Sequence, residues 1–178
     1  SNVDMSKFKA EVLHNHHQKH GLSFADRLII NQTAISRISS GFFAPLVNTV
    51  LSNSIVRYFI ELLTGLDRRR ILPLYTKKPF NHKTKRTTDT KNQVVLFADT
   101  YMKFHDSNIG ISAKLILERF GYEVIVFSEG CCQRPSLSHG LLDQARVEGK
   151  KTFELLEPYL KNNIPIIMCE PSCATSLK

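Results

Sequence analysis

The sequence predicts an α/β fold: a short parallel sheet with flanking helices, preceded by an α-helical segment. Three observations predict it. Three short apolar runs, at 94–98, 123–127 and 164–168, read as buried strands. Two longer amphipathic stretches, at 109–120 and 141–160, lie between them as helices. Ahead of all five, residues 1–66 carry apolar side chains at helical spacing. Strand, helix, strand, helix, strand is the Rossmann-like βαβαβ order, which calls for right-handed crossovers and parallel strands.

In the leading segment, Phe8, Val12 and Leu13 recur near helical spacing up to Gly21, a C-terminal stop. Ser23 is placed to cap a second helix, with Asp26 three residues on as the acid of a capping box. Leu28, Ile29, Ile35 and Ile38 continue it to Gly41. A third helix is expected over 44–64, on Leu46, Val47, Val50, Leu51, Ile55, Phe59, Leu62 and Leu63, with Gly65 closing it. The expected organisation is thus a helical connector at 1–66, a basic linker at 67–92 and a cysteine-rich α/β domain at 93–178.

The linker follows from charge. The chain of 178 residues carries a net charge of +8, but residues 67–91 hold nine basic and two acidic side chains, a net of +7. Residues 92–178 are close to neutral, with nine basic and ten acidic side chains. The basic stretch contains Arg68-Arg69-Arg70, Lys77-Lys78, Pro73 and Pro79, with little periodicity, and reads as a solvated connector. Only Tyr75 and Phe80 interleave it, which disfavours a nucleic-acid surface. Contact with an anionic membrane surface is left open. No apolar run approaches the ~18–20 residues of a spanning helix, and no secretory leader is evident, so a cytoplasmic protein with reduced thiols is expected.

The four cysteines all lie in the last third, as Cys131-Cys132, Cys169 and Cys173. In open α/β sheets ligands bind outside the carboxyl ends of the strands. Asp99-Thr100 follows the first predicted strand, the cysteine pair follows the second, and Cys169 to Cys173 follows the third. Soft thiolates converging from loops suit an iron-sulfur cluster or zinc. A disulfide between the neighbours Cys131 and Cys132 would need a strained peptide. Arg134 beside the pair would favour thiolate. Asp99, Thr100, Arg134 and Glu170 are therefore marked as residues at the edge of the site.

Two other groupings are set aside. His14, His16, His17 and His20 crowd one helix, but no carboxylate or cysteine with zinc-site spacing is near them in sequence, so a solvated polar face is expected. His139 has no orienting partner or oxyanion hole to make it half of a cysteine-histidine hydrolase. No catalytic residue is assigned.

Several blocks carry a family resemblance. Val94-Val-Leu-Phe-Ala-Asp-Thr100, Leu117-Glu-Arg-Phe-Gly-Tyr-Glu-Val124, Gly130-Cys-Cys-Gln-Arg-Pro135, Gly140-Leu-Leu-Asp143 and Glu170-Pro-Ser-Cys173 together resemble the cysteine-rich "CCG" domain. That domain occurs in heterodisulfide reductase subunits, in iron-sulfur subunits of glycolate and glycerol-3-phosphate dehydrogenases, and in FAD-linked D-lactate or D-2-hydroxyacid dehydrogenases. Lys9-Ala-Glu-Val-Leu13, His20-Gly21, Leu66-Asp-Arg-Arg-Arg70 and Leu72-Pro73 resemble the helical connector after the ferredoxin-like module of such proteins.

The resemblance implies a fragment of an FAD- and iron-sulfur-dependent oxidoreductase, acting in electron relay or cluster binding. FAD and the ferredoxin-like module would belong to other parts of the parent protein, so this chain alone would not be catalytically complete. Cys131, Cys132 and Cys173 match the family's ligands to a cluster such as 4Fe-4S. Gln133 replaces the glycine of Cys-Cys-Gly, and Thr100 and Glu170 stand where the family tends to place further cysteines. The fourth donor is then Cys169, Glu170 or an outside group. The thinner ligand set keeps a second reading alive, a zinc-stabilised docking domain with no redox role. Lys178 follows Cys173 within about one helical turn, so the sheet is expected to continue beyond it.

Overall fold

The computed structural model describes residues 4–81 and 92–177. The chain divides into two compact units, one drawn from Ser1–Lys77 and Gln133–Val147, the other from Lys78–Cys132 and Glu148–Lys178. Of the basic stretch expected as a linker at 67–92, residues 82–91 lie outside the described residues.

The first unit is helical. Helix α1 is Met5–His20, capped by Asp4, whose Oδ1 accepts from the N–H groups of Ser6 and Lys7. Helix α2 is Phe24–Ile30, and its Ser23–Asp26 capping box forms as the sequence predicts. The helix does not run on to Gly41. Asn31 interrupts it, its side chain donating to the Arg27 carbonyl at 2.8 Å, and α3 follows as Gln32–Ser39. A 3-10 turn, Gly41–Phe43, leads into α4, Ala44–Ser52.

The single helix expected over 44–64 is two. Asn53 takes an extended conformation, and its Oδ1 accepts from the N–H groups of Ile55 and Val56, which starts α5, Ser54–Thr64. The apolar period runs through Asn53 unbroken, but a short polar side chain that can satisfy exposed N–H groups is a helix start. Further on, Asn48 on α4 clasps Tyr75 with two hydrogen bonds of 2.9 Å, one to its carbonyl and one from its N–H. Gly41 donates to the Thr76 carbonyl. The start of the basic stretch is thus tied to helices of its own unit. Helix α8, Arg134–Ser138, also belongs here.

The second unit holds the sheet. Strand β1 is Gln93–Phe97, β2 is Glu123–Phe127 and β3 is Ile166–Met168. All pair in parallel in the order β2-β1-β3, with Val95 opposite Ile125 on one side and Ile166 on the other. Helices α6, Thr100–Phe104, and α7, Ser107–Arg119, connect β1 to β2. Helix α9, Leu142–Lys161, precedes β3, and α10, Pro171–Ser176, follows it. The predicted α/β fold with its helical lead-in is what forms.

Alternation along the strands sorts the core into two faces. Val94, Leu96, Val124 and Val126 pack on one, with Met102 and Phe80. Val95, Phe97, Ile125 and Phe127 pack on the other, with Leu156, Ile164, Cys132 and Cys173. The central strand is buried along its whole length, as a parallel strand covered on both faces must be. Phe80, read from sequence as part of a solvated connector, is a core residue. It is 2% exposed, and its N–H donates to the Lys103 carbonyl at 2.9 Å.

Candidate functional site

Three connections leave the carboxyl ends of the strands, and all four cysteines lie just past two of those ends, Cys173 already within α10. After β1, Asp99 caps α6, its Oδ1 accepting from the N–H groups of Tyr101 and Met102 at 2.8 and 3.0 Å. This cap is why a helix begins at once where the sequence suggests only the strand's end. The cap also places the next side chain, since the Thr100 hydroxyl donates to Cys131 Sγ at 3.7 Å.

After β2, the loop to the cysteine pair is held from within. Lys103 is buried, and its ammonium donates to the carbonyls of Ser128 and Gly130 at 2.9 and 3.3 Å. The Thr152 hydroxyl of α9 is 1% exposed and faces the backbone of Cys131 on both sides. It lies 3.2 Å from the Cys131 N–H nitrogen, 3.2 Å from the Cys131 carbonyl and 3.0 Å from the Glu148 carbonyl. A rotating hydroxyl can accept from the first and donate to one of the other two. The peptide carrying Cys131 is therefore fixed by groups that composition gives no reason to single out.

Cys132 and Cys173 are buried, and their Sγ atoms stand 2.9 Å apart. Cys131 is half-buried and packs against the same apolar cluster. The structure thus brings Cys131, Cys132 and Cys173 to one place, and none of the four cysteines is in a disulfide. Cys169 is exposed and stands apart from that cluster. Its thiol is pushed up, by local burial first and by the negative charge of Asp99 second. Glu170 spends its carboxylate capping α10, accepting from the Ser172 N–H and hydroxyl. Arg134 opens α8 and is exposed.

Three thiols in one apolar cluster are a suitable donor set for soft metals. A tetrahedral zinc ion with bonds of about 2.3 Å would hold two thiolates roughly 3.8 Å apart. The Cys132–Cys173 pair, at 2.9 Å, is closer than that and would have to part by side-chain rotation to admit an ion. Among the described residues no three His, Cys, Asp or Glu side chains stand together at ligand spacing. The donor chemistry fits a metal or cluster, and the spacing is that of a closed dithiol.

Comparison with known proteins adds a likeness to part of a dehydrogenase. Over 156 residues the chain is 26% identical to one of the subunits of the anaerobic glycerol-3-phosphate dehydrogenase of Escherichia coli K12, and equally to its counterpart in Escherichia coli O157:H7. The match covers 84% of this chain and 39% of each relative, so the chain spans about two fifths of their length. No family model and no solved structure matches it. The chain is thus similar to part of an oxidoreductase. Among the described residues no helix is long and apolar enough to cross a membrane.

Proposed function

We propose that this chain is the cysteine-bearing electron-relay part of a flavin- and iron-sulfur-dependent dehydrogenase. The observation that carries the reading is the gathering of Cys131, Cys132 and Cys173 at the carboxyl edge of a parallel sheet. Similarity to part of a dehydrogenase supports it. Those three thiols would hold the group, with Cys169 or Glu170 as the nearest further donors in sequence. A bound iron-sulfur cluster supplies one-electron transfer.

The chain's own residues set the conditions for that binding. Thr100 donates to Cys131 Sγ, which orients that sulfur. Thr152 and Lys103 hold the loop backbone so that the sulfur is presented from a fixed peptide. The substrate is oxidised elsewhere, at an FAD site in a separate module, with a 2-hydroxyacid such as D-lactate or glycolate, or glycerol 3-phosphate, as the reductant class. Flavin and ferredoxin-like modules of the same assembly are the partners. The exposed apolar side chains of Ile55, Phe59, Leu62 and Leu63 on α5 suit such docking.

A second reading is favoured by the missing fourth thiol: a zinc-stabilised docking domain without redox work. Metal analysis of the chain purified without oxygen separates the two. Iron with matching acid-labile sulfide, lost in Cys131→Ser and Cys173→Ser, is the expected result. Zinc alone at the cysteines would leave the docking reading, and a metal-free chain in full-length protein of undiminished activity would remove the relay role.

A further inference from the structure

The start of the basic stretch, residues 67–77, lies in the first unit and forms neither helix nor strand. Its backbone is nevertheless tied to the helices at three places. The Arg57 guanidinium of α5 donates to the Arg70 carbonyl. Asn48 of α4 holds both the N–H and the carbonyl of Tyr75, each at 2.9 Å. The Gly41 N–H donates to the Thr76 carbonyl at 2.9 Å. The Arg68 guanidinium carbon also lies 5.8 Å from the centre of the Tyr58 ring of α5. Residues 68–77 are thus a strap held against its own unit.

The strap shows two kinds of side chain to solvent. Arg68, Arg69, Arg70 and Lys77 are exposed, and against them residues 67–77 hold one carboxylate, Asp67, for a net charge of +3. Ile71 is 90% exposed and Leu74 is 59% exposed. A lone exposed aliphatic side chain is ordinary, but two on a fixed strap between blocks of cations make a pattern. Arg57, Arg68 and Arg69 also share one groove of about 450 Å³ with Leu51, Ile71 and Leu74. Arg69 is paired with Asp67, and Arg68 stands 3.6 Å from Glu61. Both pairs are at the surface, where such pairs are worth little, so a phosphate can compete for Arg68.

We propose that the strap at 68–77 docks on an anionic lipid surface. Ile71 and Leu74 enter the boundary between headgroups and acyl chains, and Arg68, Arg70 and Lys77 meet lipid phosphates. Cations that flank aliphatic anchors match that boundary, where negative charge lies directly above hydrocarbon. The groove that mixes arginines with Leu51, Ile71 and Leu74 suits an amphiphile carrying both a phosphate and a chain. A nucleic acid would satisfy the cations but leave Ile71 and Leu74 in water, and Tyr75, the one aromatic side chain in 67–77, is half-buried rather than offered for base stacking. The backbone ties at Arg70, Tyr75 and Thr76 mean that little ordering has to accompany binding. A contact of this kind is peripheral and needs no spanning helix.

The test is co-sedimentation of the whole chain with vesicles of phosphatidylcholine, alone or mixed with phosphatidylglycerol. Binding to the mixed vesicles, weakened by salt and at least tenfold weaker on phosphatidylcholine alone, is the expected result. A cation near an anionic surface is worth about fivefold in affinity, so Arg68→Gln with Arg70→Gln should lose at least tenfold. That pair of changes spares the Asp67–Arg69 contact and leaves Lys83, Lys85, Arg86 and Lys91 in place, so a loss locates the contact in the strap. Ile71→Ser with Leu74→Ser should lose on the order of tenfold. Phe120→Ser, which removes an apolar side chain 78% exposed in the second unit, should change nothing. All three variants alter exposed side chains, so unchanged circular dichroism should accompany them. Absence of vesicle binding, binding indifferent to lipid charge, or an undiminished affinity in the arginine variant would overturn the proposal. Arginine-dependent binding that the Ile71→Ser, Leu74→Ser variant keeps in full would reveal a site for polyanions instead of lipid, and would also overturn it. None of these outcomes bears on metal at the cysteines.

Discussion

Cys132 Sγ lies 2.9 Å from Cys173 Sγ across 41 positions of chain, inside a cluster that also holds Val95 and Phe97 of β1, Ile125 and Phe127 of β2 and Leu156 of α9. Two thiols at this distance can close to a disulfide with little backbone movement, releasing two protons and two electrons to an oxidant. Treating the metal-free chain with a diazene dicarboxamide oxidant should crosslink Cys132 to Cys173. Peptide mapping should find that pair, with Cys169 left out because it is exposed elsewhere. Prior loading with iron and sulfide should block the crosslink. A crosslink between Cys169 and any partner as the main product would contradict the geometry.

Thr152 is the support under Cys131. Replacing it with Val keeps its shape but removes the oxygen that the Cys131 N–H meets at 3.2 Å. A buried donor left without a partner costs about 1–3 kcal/mol. Urea unfolding of Thr152→Val should show a loss in that range, while Thr152→Ser should stay near wild type. Metal binding at the cysteines should weaken in the Val variant, because the sulfur would no longer be carried on a fixed peptide. Equal stability of the two variants would remove Thr152 from this role.

Much of this arrangement is legible in the sequence, and the exceptions have physical reasons. Short continuous apolar runs and stretches with a period of 3.6 alternate cleanly after residue 92, so the parallel sheet and its carboxyl edge follow. The capping box at Ser23–Asp26 is a local pattern and is equally readable. The breaks at Asn31 and Asn53 are not, because apolar periodicity passes through them and only their cap geometry shows the interruption. Phe80 is hidden by the charges around it. Its side chain is buried by packing with Val94, Leu96 and Met102, all more than a dozen positions away. The contact of His17 Nε2 with the His139 carbonyl, at 2.9 Å, spans 122 positions, and no local spacing rule reaches that far. A histidine run on one helix reads as a solvated face, and for His16 and His20 the structure agrees, both being exposed with their rings tilted 36° to each other at 4.5 Å between centroids, whereas the His17 side chain is only 12% exposed.

Gly140 tests how tightly the turn after α8 sits on α1. Its φ is +71°, and a Cβ there would lie 2.5 Å from Leu13 Cβ, 2.7 Å from the His14 nitrogen and 2.8 Å from the Ala10 carbonyl oxygen. Two of those atoms are backbone and cannot step aside. Gly140→Ala should lose roughly 2–4 kcal/mol, combining overpacking with the left-handed penalty. Gly121→Ala is the control, with φ of +83° and nothing within 4 Å of the added atom. It should lose only the conformational part, about 1–2 kcal/mol. Similar losses in the two variants would mean that the turn and α1 do not pack this closely.

Asp67 offers a pH-dependent prediction. Hydrogen bonds from the Arg69 side chain and N–H hold its carboxyl down to about 2, well below its ordinary value of 3.8. A carboxyl lowered on folding binds its proton more weakly in the folded state. The preference is therefore fully present above the ordinary value and is lost as pH falls from there through about 2. Both side chains are open to water, so salt should screen much of the effect. Carbon-detected NMR of the side-chain carboxyl should place its midpoint near 2 at low salt. In Arg69→Ala the midpoint should return toward the ordinary carboxylate range. A midpoint already in that range in the wild type would show that the Asp67–Arg69 contact does not persist in solution, and the start of the basic stretch would then lack the turn that this pair holds.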